Sequence, residues 1–122
     1  MTYYTSNRYY SSKTQGKNDS KFEAGKAREL ELLKRAGEIK DFKEQVVLDL
    51  IVNGYLVCTY KIDFVIEHND GMTEYLECKG YSTPVWKLKW KLFEALYSDM
   101  PDTKLTIEFQ GKSWRPHKRR VK

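Results

Sequence analysis

The spacing of hydrophobic residues predicts a helix in the first third of the chain. Apolar residues recur there at intervals of three and four: Phe22, Ala27, Leu30, Leu33 and Ala36. Ser20 precedes this stripe and Glu23 follows Ser20 by three residues, which is the spacing of a capping box at a helix start. Gly37 stands where a glycine commonly ends a helix. The pattern therefore predicts a helix from Ser20 to about residue 36.

The residues after this helix have the composition of two β-strands joined by a tight turn. Residues 45–52 and 55–67 are rich in β-branched and aromatic side chains. Asn53-Gly54 between them is a strong signal for a two-residue hairpin turn, because both positions of that turn favour a left-handed backbone. We therefore expect a long β-hairpin.

The last part of the chain predicts a strand, a helix and a strand. Residues 68–72 form a turn before the strand over 73–80. Pro84 follows two hydroxyl residues, a typical helix start, and this helix extends to about Ser98. Residues 104–110 then alternate as a final strand. The order α-β-β-β-α-β predicts one domain of the α/β (α+β) class.

Composition is that of a globular protein. Of the 122 residues 40% are hydrophobic, and no apolar run approaches the roughly 18 residues needed to cross a bilayer. The N-terminus lacks the apolar segment of a secretory signal. Cys58 and Cys78 do not form a zinc-binding pattern, so we expect two reduced, packed thiols in a cytosolic protein.

Positive charge is concentrated near the two ends of the chain. The formal net charge is +5, and the last twelve residues contribute six cations and no acid: Lys112, Arg115, Lys118, Arg119, Arg120 and Lys122. We expect a flexible basic and aromatic arm over 1–18, a folded domain over 19–110 and a basic tail over 111–122. Such segments favour a polyanion such as DNA, and a solvated tail that only aids solubility has the same composition.

Two carboxylates are expected to meet on one face of the second hairpin. Strand alternation places three apolar residues on the core face: Ile62, Phe64 and Ile66. If the turn is centred on Asp70, Asp63 lies opposite Glu77 on the other face, with Cβ atoms about 5 Å apart. Carboxylates that close repel each other unless a cation lies between them, and Mg²⁺ prefers such ligands. Lys79 projects from the same face.

Two other interpretations of this hairpin remain open. The outer face of a half-buried hairpin is normally polar, so Asp63, Glu77 and Lys79 also fit an ordinary solvated surface. A loop with an even number of residues would place the two acids on opposite faces, unless a bulge corrected the register.

The helices carry two further charged residues that face apolar surroundings. Glu23 lies within about 40° of Ala27 and Leu30 on the helical wheel, so it is either a metal ligand or only the acid of the capping box. Lys89 falls on the apolar arc of the second helix, where it either extends its amine back to solvent or points toward a scissile phosphate. Lys91 lies on the polar strip of the same helix.

The element order and the motif residues resemble the PD-(D/E)XK nuclease superfamily. The superfamily signature corresponds here to Asp63 followed by Glu77-Cys78-Lys79. More narrowly, the chain is similar to a family of small phage-encoded proteins long described only as a domain of unknown function. The matching segments are SKFEAGKARELELL, the strand start with Gln45, YKIDFVIE, EYLECKG and LKWKLFEALY. Ile62 stands where the superfamily has proline, a departure that leaves the chemistry intact.

The resemblance implies a restriction-endonuclease-like core, a mixed sheet flanked by helices, and an Mg²⁺-dependent DNA endonuclease in which Mn²⁺ substitutes. Asp63, Glu77, the backbone carbonyl of Cys78 and Glu23 would bind the metal, and Lys79 would serve the attacking water. Small phage members are likened to Holliday-junction resolvases, which implies branched DNA, a homodimer and the cytoplasm of a bacterial host. The candidate DNA contacts are Lys89, Lys91, Lys112, Arg115, Lys118, Arg119 and Arg120. The alternative is a non-catalytic DNA-binding or accessory phage protein with the same fold.

Overall fold

The computed structural model describes residues 13–110, with side chains from residue 21 onward. Its elements confirm the predicted order, and they are α1 (Lys13–Arg35), β1 (Asp41–Val52), β2 (Tyr55–Glu67), β3 (Thr73–Lys79), α2 (Pro84–Tyr97) and β4 (Thr103–Phe109). Within this part of the chain, neither helix is long and apolar enough to cross a membrane.

The four strands form one mixed sheet in the order β1-β2-β3-β4. β2 is antiparallel to both of its neighbours, β1 and β3, whereas β3 and β4 are parallel. Parallel neighbours need a crossover connection, and α2 provides it. The predicted fold class, an α/β (α+β) domain whose mixed sheet is flanked by helices, is confirmed.

The first helix begins earlier than the sequence pattern predicts. α1 starts at Lys13, seven residues before Ser20, so Ser20 lies inside the helix and the capping-box interpretation of Glu23 is wrong. Residues 13–18, predicted as part of a flexible arm, are helical, while residues 1–12 of that arm lie outside the described residues. The end of the helix is as predicted: Gly37 has φ 77°, and the Glu38 amide donates to the Leu33 carbonyl.

Both faces of the sheet are covered, each by one helix. Residues packed on the α1 side form a first core cluster: Leu30, Ile39, Phe64, Ile66, Leu76 and Cys78. Residues on the α2 side form a second: Leu50, Tyr60, Ile62, Trp86, Trp90 and Phe93. Half-buried Val65 and Tyr75 pack against this second cluster. The prediction of one apolar and one solvated face is therefore wrong, because β3-α2-β4 is a crossover that lays α2 across the face expected to be polar.

The register between β2 and β3 agrees with the predicted turn. The paired residues are Phe64 with Leu76, Val65 with Tyr75, Ile66 with Glu74 and Glu67 with Thr73. The connecting loop, residues 68–72, thus has an odd number of residues and is centred on Asp70. Continuing this register by one step places Asp63 opposite Glu77, as the sequence analysis requires.

Candidate metal centre

The regular alternation of side chains along β2 is interrupted at Asp63. Ile62 packs in the α2 cluster and Phe64 in the α1 cluster, although residues two apart in a regular strand share a face. On the neighbouring strand β1, Gln45 has φ 53° and lies between the paired residues Glu44 and Val46. A left-handed backbone at such a residue costs about 1 kcal/mol. This local irregularity explains why the predicted common face of Ile62 with Phe64 and Ile66 is wrong.

Asp63 occupies the place where β2 and β3 separate. The pairing of the two strands ends at Phe64 and Leu76, one residue short of Asp63. The backbone amide of Cys78 donates a hydrogen bond to Asp63 Oδ2 at 2.9 Å. The carboxylate therefore accepts a backbone donor of β3 just beyond the last paired residues, and this bond orients it.

Glu77 is a buried carboxylate held by an aromatic hydroxyl. Its side chain accepts a hydrogen bond from the Tyr60 hydroxyl at 2.8 Å, and Trp86 Nε1 donates to the same hydroxyl oxygen at 3.1 Å. Burial, and then the negative charge of Asp63, raises the pKa of Glu77 from 4.5 to about 8. The effect of Asp63 on this pKa shows that the two carboxylates are close enough to repel each other.

Lys79 lies beside Glu77 and over the ring of Trp86. Its Nζ is 3.5 Å from Glu77 Oε2 and 5.0 Å from the centroid of the Trp86 ring. The Trp86 backbone amide donates to Thr83 Oγ1, which caps α2 and fixes the first turn that carries this ring. The start of α2 thus determines where the lysine amine can be placed.

The burial of these three charged residues decides between the interpretations of the hairpin. Asp63 is 7% exposed, Glu77 3% and Lys79 9%. An ordinary solvated face is therefore wrong, because charged residues are almost never buried unless they are paired or bind a metal. A buried acid whose pKa is strongly perturbed, as that of Glu77 is, is typical of a functional site.

Glu23 reaches the same region through a residue that the sequence analysis did not assign. Gln45 Nε2 donates to Glu23 Oε2 at 2.6 Å and to Asp63 Oδ1 at 3.4 Å. Glu23 therefore faces the sheet, as its position on the apolar stripe predicts. Its contact with Asp63 goes through the amide of Gln45.

The carboxylates of Asp63 and Glu77 are ligands of the kind that Mg²⁺ prefers. Among the described residues, no three His, Cys, Asp or Glu side chains form a preassembled metal-binding group. Mg²⁺ is nevertheless bound in many proteins by one or two carboxylates, with water and substrate phosphate as the other ligands. Asp63 and Glu77 fit that donor set, since a divalent cation between them would relieve the repulsion that raises the pKa of Glu77. The Cys78 carbonyl remains a predicted ligand.

The predicted DNA contacts are only partly within the described structure. Lys89 is half-buried and Lys91 is exposed on α2. The other five, Lys112, Arg115, Lys118, Arg119 and Arg120, lie outside the described residues. All seven assignments stay predictions.

The Tyr60 hydroxyl provides a testable link between packing and the site. Replacing Tyr60 with Phe keeps the ring but leaves Glu77 and the Trp86 indole without that partner, so we expect the free energy of unfolding to fall by about 1–3 kcal/mol. Urea unfolding at pH 7 measures it. The matched control is Tyr55→Phe, because Tyr55 is 75% exposed, and this change should be neutral. Equal effects of the two substitutions would contradict the assignment.

The comparison with known proteins assigns a family. No curated protein and no solved structure matches the chain. One family model, described as "Protein of unknown function (DUF1064)", matches residues 6–112, a range that includes Glu23, Gln45, Asp63, Glu77 and Lys79. The chain therefore belongs to the DUF1064 family.

Proposed function

We propose that this protein is a divalent-metal-dependent DNA endonuclease that hydrolyses phosphodiester bonds at Asp63, Glu77 and Lys79. The observation that carries the proposal is the burial of two carboxylates and one lysine together, at the point where the pairing of two strands ends. The resemblance of the Asp63 and Glu77-Cys78-Lys79 motif to the PD-(D/E)XK superfamily supports it.

The energetics of the pair favour a metal-binding role over a structural one. A buried acid whose charged form is disfavoured weakens the fold at neutral pH, so its presence requires a compensating interaction. Lys79 supplies one positive charge for two acids, whereas Mg²⁺ would supply two more. A nuclease needs such a cation next to the scissile phosphate, and this requirement explains why the protein tolerates the destabilising pair.

Each residue then has a distinct task. Asp63, held by the Cys78 amide, and Glu77, held by the Tyr60 hydroxyl, would bind Mg²⁺ with the Cys78 carbonyl. Bound Mg²⁺ would polarise the phosphate and lower the pKa of a ligand water. Lys79 would orient the attacking water and stabilise the negative charge that grows on the phosphate, since its amine is held beside Glu77.

DNA is the proposed substrate because of the distribution of positive charge. Residues 111–122 contain six cations and no acid, which suits contacts with a phosphate backbone. By analogy with the superfamily, we propose branched DNA such as a Holliday junction as the substrate, a homodimer as the active form, and the cytoplasm of a phage-infected bacterium as the location.

A substrate panel tests the proposed activity. The protein is incubated with a synthetic four-way junction, a linear duplex and a single strand, each with Mg²⁺, with Mn²⁺ and with a chelator. We expect cleavage of at least one substrate only with a divalent cation, and none by Glu77→Ala. Undiminished cleavage by Glu77→Ala would contradict the site, and the absence of cleavage from every reaction would contradict the activity.

The six cations of residues 111–122 also suit a second candidate, a non-catalytic DNA-binding or accessory phage protein. That protein would bind DNA in a salt-sensitive way without any metal-dependent cleavage. The same panel separates the two functions, because a gel-shift measurement on each substrate reports binding and the product lanes report cleavage.

The basic tail yields a prediction that holds for both functions. Deleting residues 111–122 removes six cations, so we expect DNA affinity at low salt to fall by more than tenfold. The slope of log affinity against log salt should also become shallower by up to about 5. Fluorescence anisotropy at several salt concentrations measures both. A length-matched tail with Gln at the six positions is the control for charge, and wild-type affinity in that variant would contradict a role of the tail in DNA binding.

A further inference from the structure

Gln45 connects two acids that lie on different elements of the fold. Its amide nitrogen is 2.6 Å from Glu23 Oε2 on α1 and 3.4 Å from Asp63 Oδ1 on β2. The second oxygen of Asp63 is already bound by the Cys78 amide. Both oxygens of this carboxylate are therefore oriented by donors from the protein, and the side that Gln45 orients is the side that faces α1.

The backbone of Gln45 is what brings its amide to this place. Three described residues other than glycine have a positive φ: Gln45 at 53°, Asn53 at 54° and Asp102 at 52°. Asn53 and Asp102 lie in turns, where this conformation is common, whereas Gln45 lies inside β1. Strained backbone within a regular element is typically retained where it serves a site. Here it occurs on β1 at the level of Asp63, between the paired residues Glu44 and Val46.

The chemistry of an amide suits a role beside a cation. The side chain of Gln45 donates hydrogen bonds but carries no charge, so it can join Glu23 and Asp63 without neutralising them. A lysine at this position would also join them, but its positive charge would oppose the binding of a metal ion. A glutamine therefore orders the acids and leaves their negative charge available.

We infer that Gln45 is a positioning residue of the metal centre, whose side-chain amide holds Glu23 and Asp63 in the arrangement that binds the divalent cation. The inference rests on the proposed function and deepens it. It makes Glu23 part of the metal centre, because the amide of Gln45 joins Glu23 to Asp63. It also gives a reason for the left-handed backbone of β1 at Gln45.

Two substitutions separate the amide from the backbone conformation. Gln45→Gly removes the side chain and relieves the left-handed backbone, so the variant should fold. Gln45→Met keeps the length of the side chain and removes its donors. Asn53→Gly is the matched control, because it replaces another exposed residue of positive φ, in the turn at the far end of the β1–β2 hairpin.

The readout is the affinity of the full-length protein for Mn²⁺, measured by calorimetry in the absence of DNA. Loss of a residue that orients a metal ligand typically weakens metal binding 10- to 100-fold, so we expect an increase of that size in the Kd of both Gln45 variants and none in Asn53→Gly. A merely structural role would lower the melting temperature and leave the Kd unchanged.

The outcomes that overturn the inference differ from those that overturn the proposed function. A Kd within threefold of wild type in either Gln45 variant overturns the role of Gln45 alone, provided that Glu77→Gln loses Mn²⁺ binding. A wild-type protein that binds no Mn²⁺, or Mn²⁺ binding that survives Glu77→Gln, overturns both.

Discussion

Replacing Glu77 with Gln is expected to abolish DNA cleavage and, at the same time, to stabilise the metal-free protein at pH 8. Both effects follow from the burial of this carboxylate, which is 3% exposed and lies close to Asp63. The amide can still accept the hydrogen bond from Tyr60, but it carries no charge and binds Mg²⁺ poorly. A residue that weakens the fold and is required for activity is the expected signature of a functional site.

The raised pKa of Glu77 determines how its contribution to stability changes with pH. The folded pKa of about 8 lies above the unfolded value of 4.5, so folding favours the protonated form of Glu77. Its contribution to stability is therefore fully present below pH 4.5 and is lost as the pH rises to about 8. The difference between the folded and unfolded pKa values corresponds to a loss of roughly 5 kcal/mol at most in the free energy of unfolding. We expect Glu77→Gln to recover only about 2 kcal/mol of this at pH 8, because the substitution also removes the ion pair between Glu77 and Lys79.

Urea unfolding in a chelator at pH 5 and pH 8 measures the effect, and Glu74→Gln is the matched control on the same strand. Burial also raises the pKa of Glu74, but hydrogen bonds, including one of 2.7 Å with His68, outweigh it and leave that pKa below its usual value. The charged form of Glu74 therefore stabilises the fold at pH 8, and Glu74→Gln should destabilise it. A destabilised Glu77→Gln protein at pH 8 would contradict the assignment of Glu77.

Replacing Lys79 with Met is expected to slow cleavage about 10²- to 10³-fold without weakening metal binding. The amine is held 3.5 Å from Glu77, where it can act on the water or the phosphate. Removing one preorganised electrostatic donor has a typical effect of this size on kcat. Because the lysine is positively charged, its loss should leave the affinity for Mn²⁺ unchanged or increase it.

Single-turnover cleavage at saturating Mg²⁺ and calorimetric Mn²⁺ binding measure the two quantities separately. Lys104→Met is the control, because Lys104 is an exposed lysine on β4. A Lys79→Met protein that cleaves within threefold of the wild-type rate would contradict a chemical role for the amine. A parallel loss of metal affinity would instead indicate that Lys79 serves to hold Glu77 in place.

The sequence predicted those parts of the fold that depend on local rules. The Asn53-Gly54 turn has φ values of 54° and 83°, as its residue types require. Pro84 and the Thr83 cap start α2 as predicted. The odd loop over residues 68–72 predicts the register of β2 against β3, and the structure confirms that register as far as the pair of Phe64 and Leu76. These features could be predicted because residues close to one another in the sequence determine them.

Gln45 could not be found in this way because a bulge changes the register of the first hairpin. The turn alone, which pairs Val52 with Tyr55, would place Gln45 opposite Ile62. The register shifts between Leu50 and Ile51, and from there on Gln45 lies at the level of Asp63. A bulge in an apolar strand leaves no clear mark in the sequence, so the alignment of the two polar residues was hidden.

The burial of the site could not be predicted because it depends on tertiary packing. The sequence of β2 and β3 alone fits a half-buried hairpin whose outer face contains Glu77 and Lys79. Only the crossover of α2 brings Trp86 against Lys79 and against the Tyr60 hydroxyl that holds Glu77, where both charged residues are buried. The same packing gives the Trp86 indole its place beside the amine of Lys79 and the hydroxyl that holds Glu77.

A cleavage assay gives the sharpest test that this protein is a metal-dependent DNA nuclease whose site contains Asp63. The wild-type protein and Asp63→Asn are purified and assayed side by side. The substrate is a labelled four-way junction, with linear duplex alongside, in the presence of Mg²⁺ or a chelator. We expect the wild type to cleave only with Mg²⁺, and Asp63→Asn to bind the same DNA without cleaving it. Cleavage by Asp63→Asn at the wild-type rate, or no cleavage by the wild type under any of these conditions, would contradict this expectation.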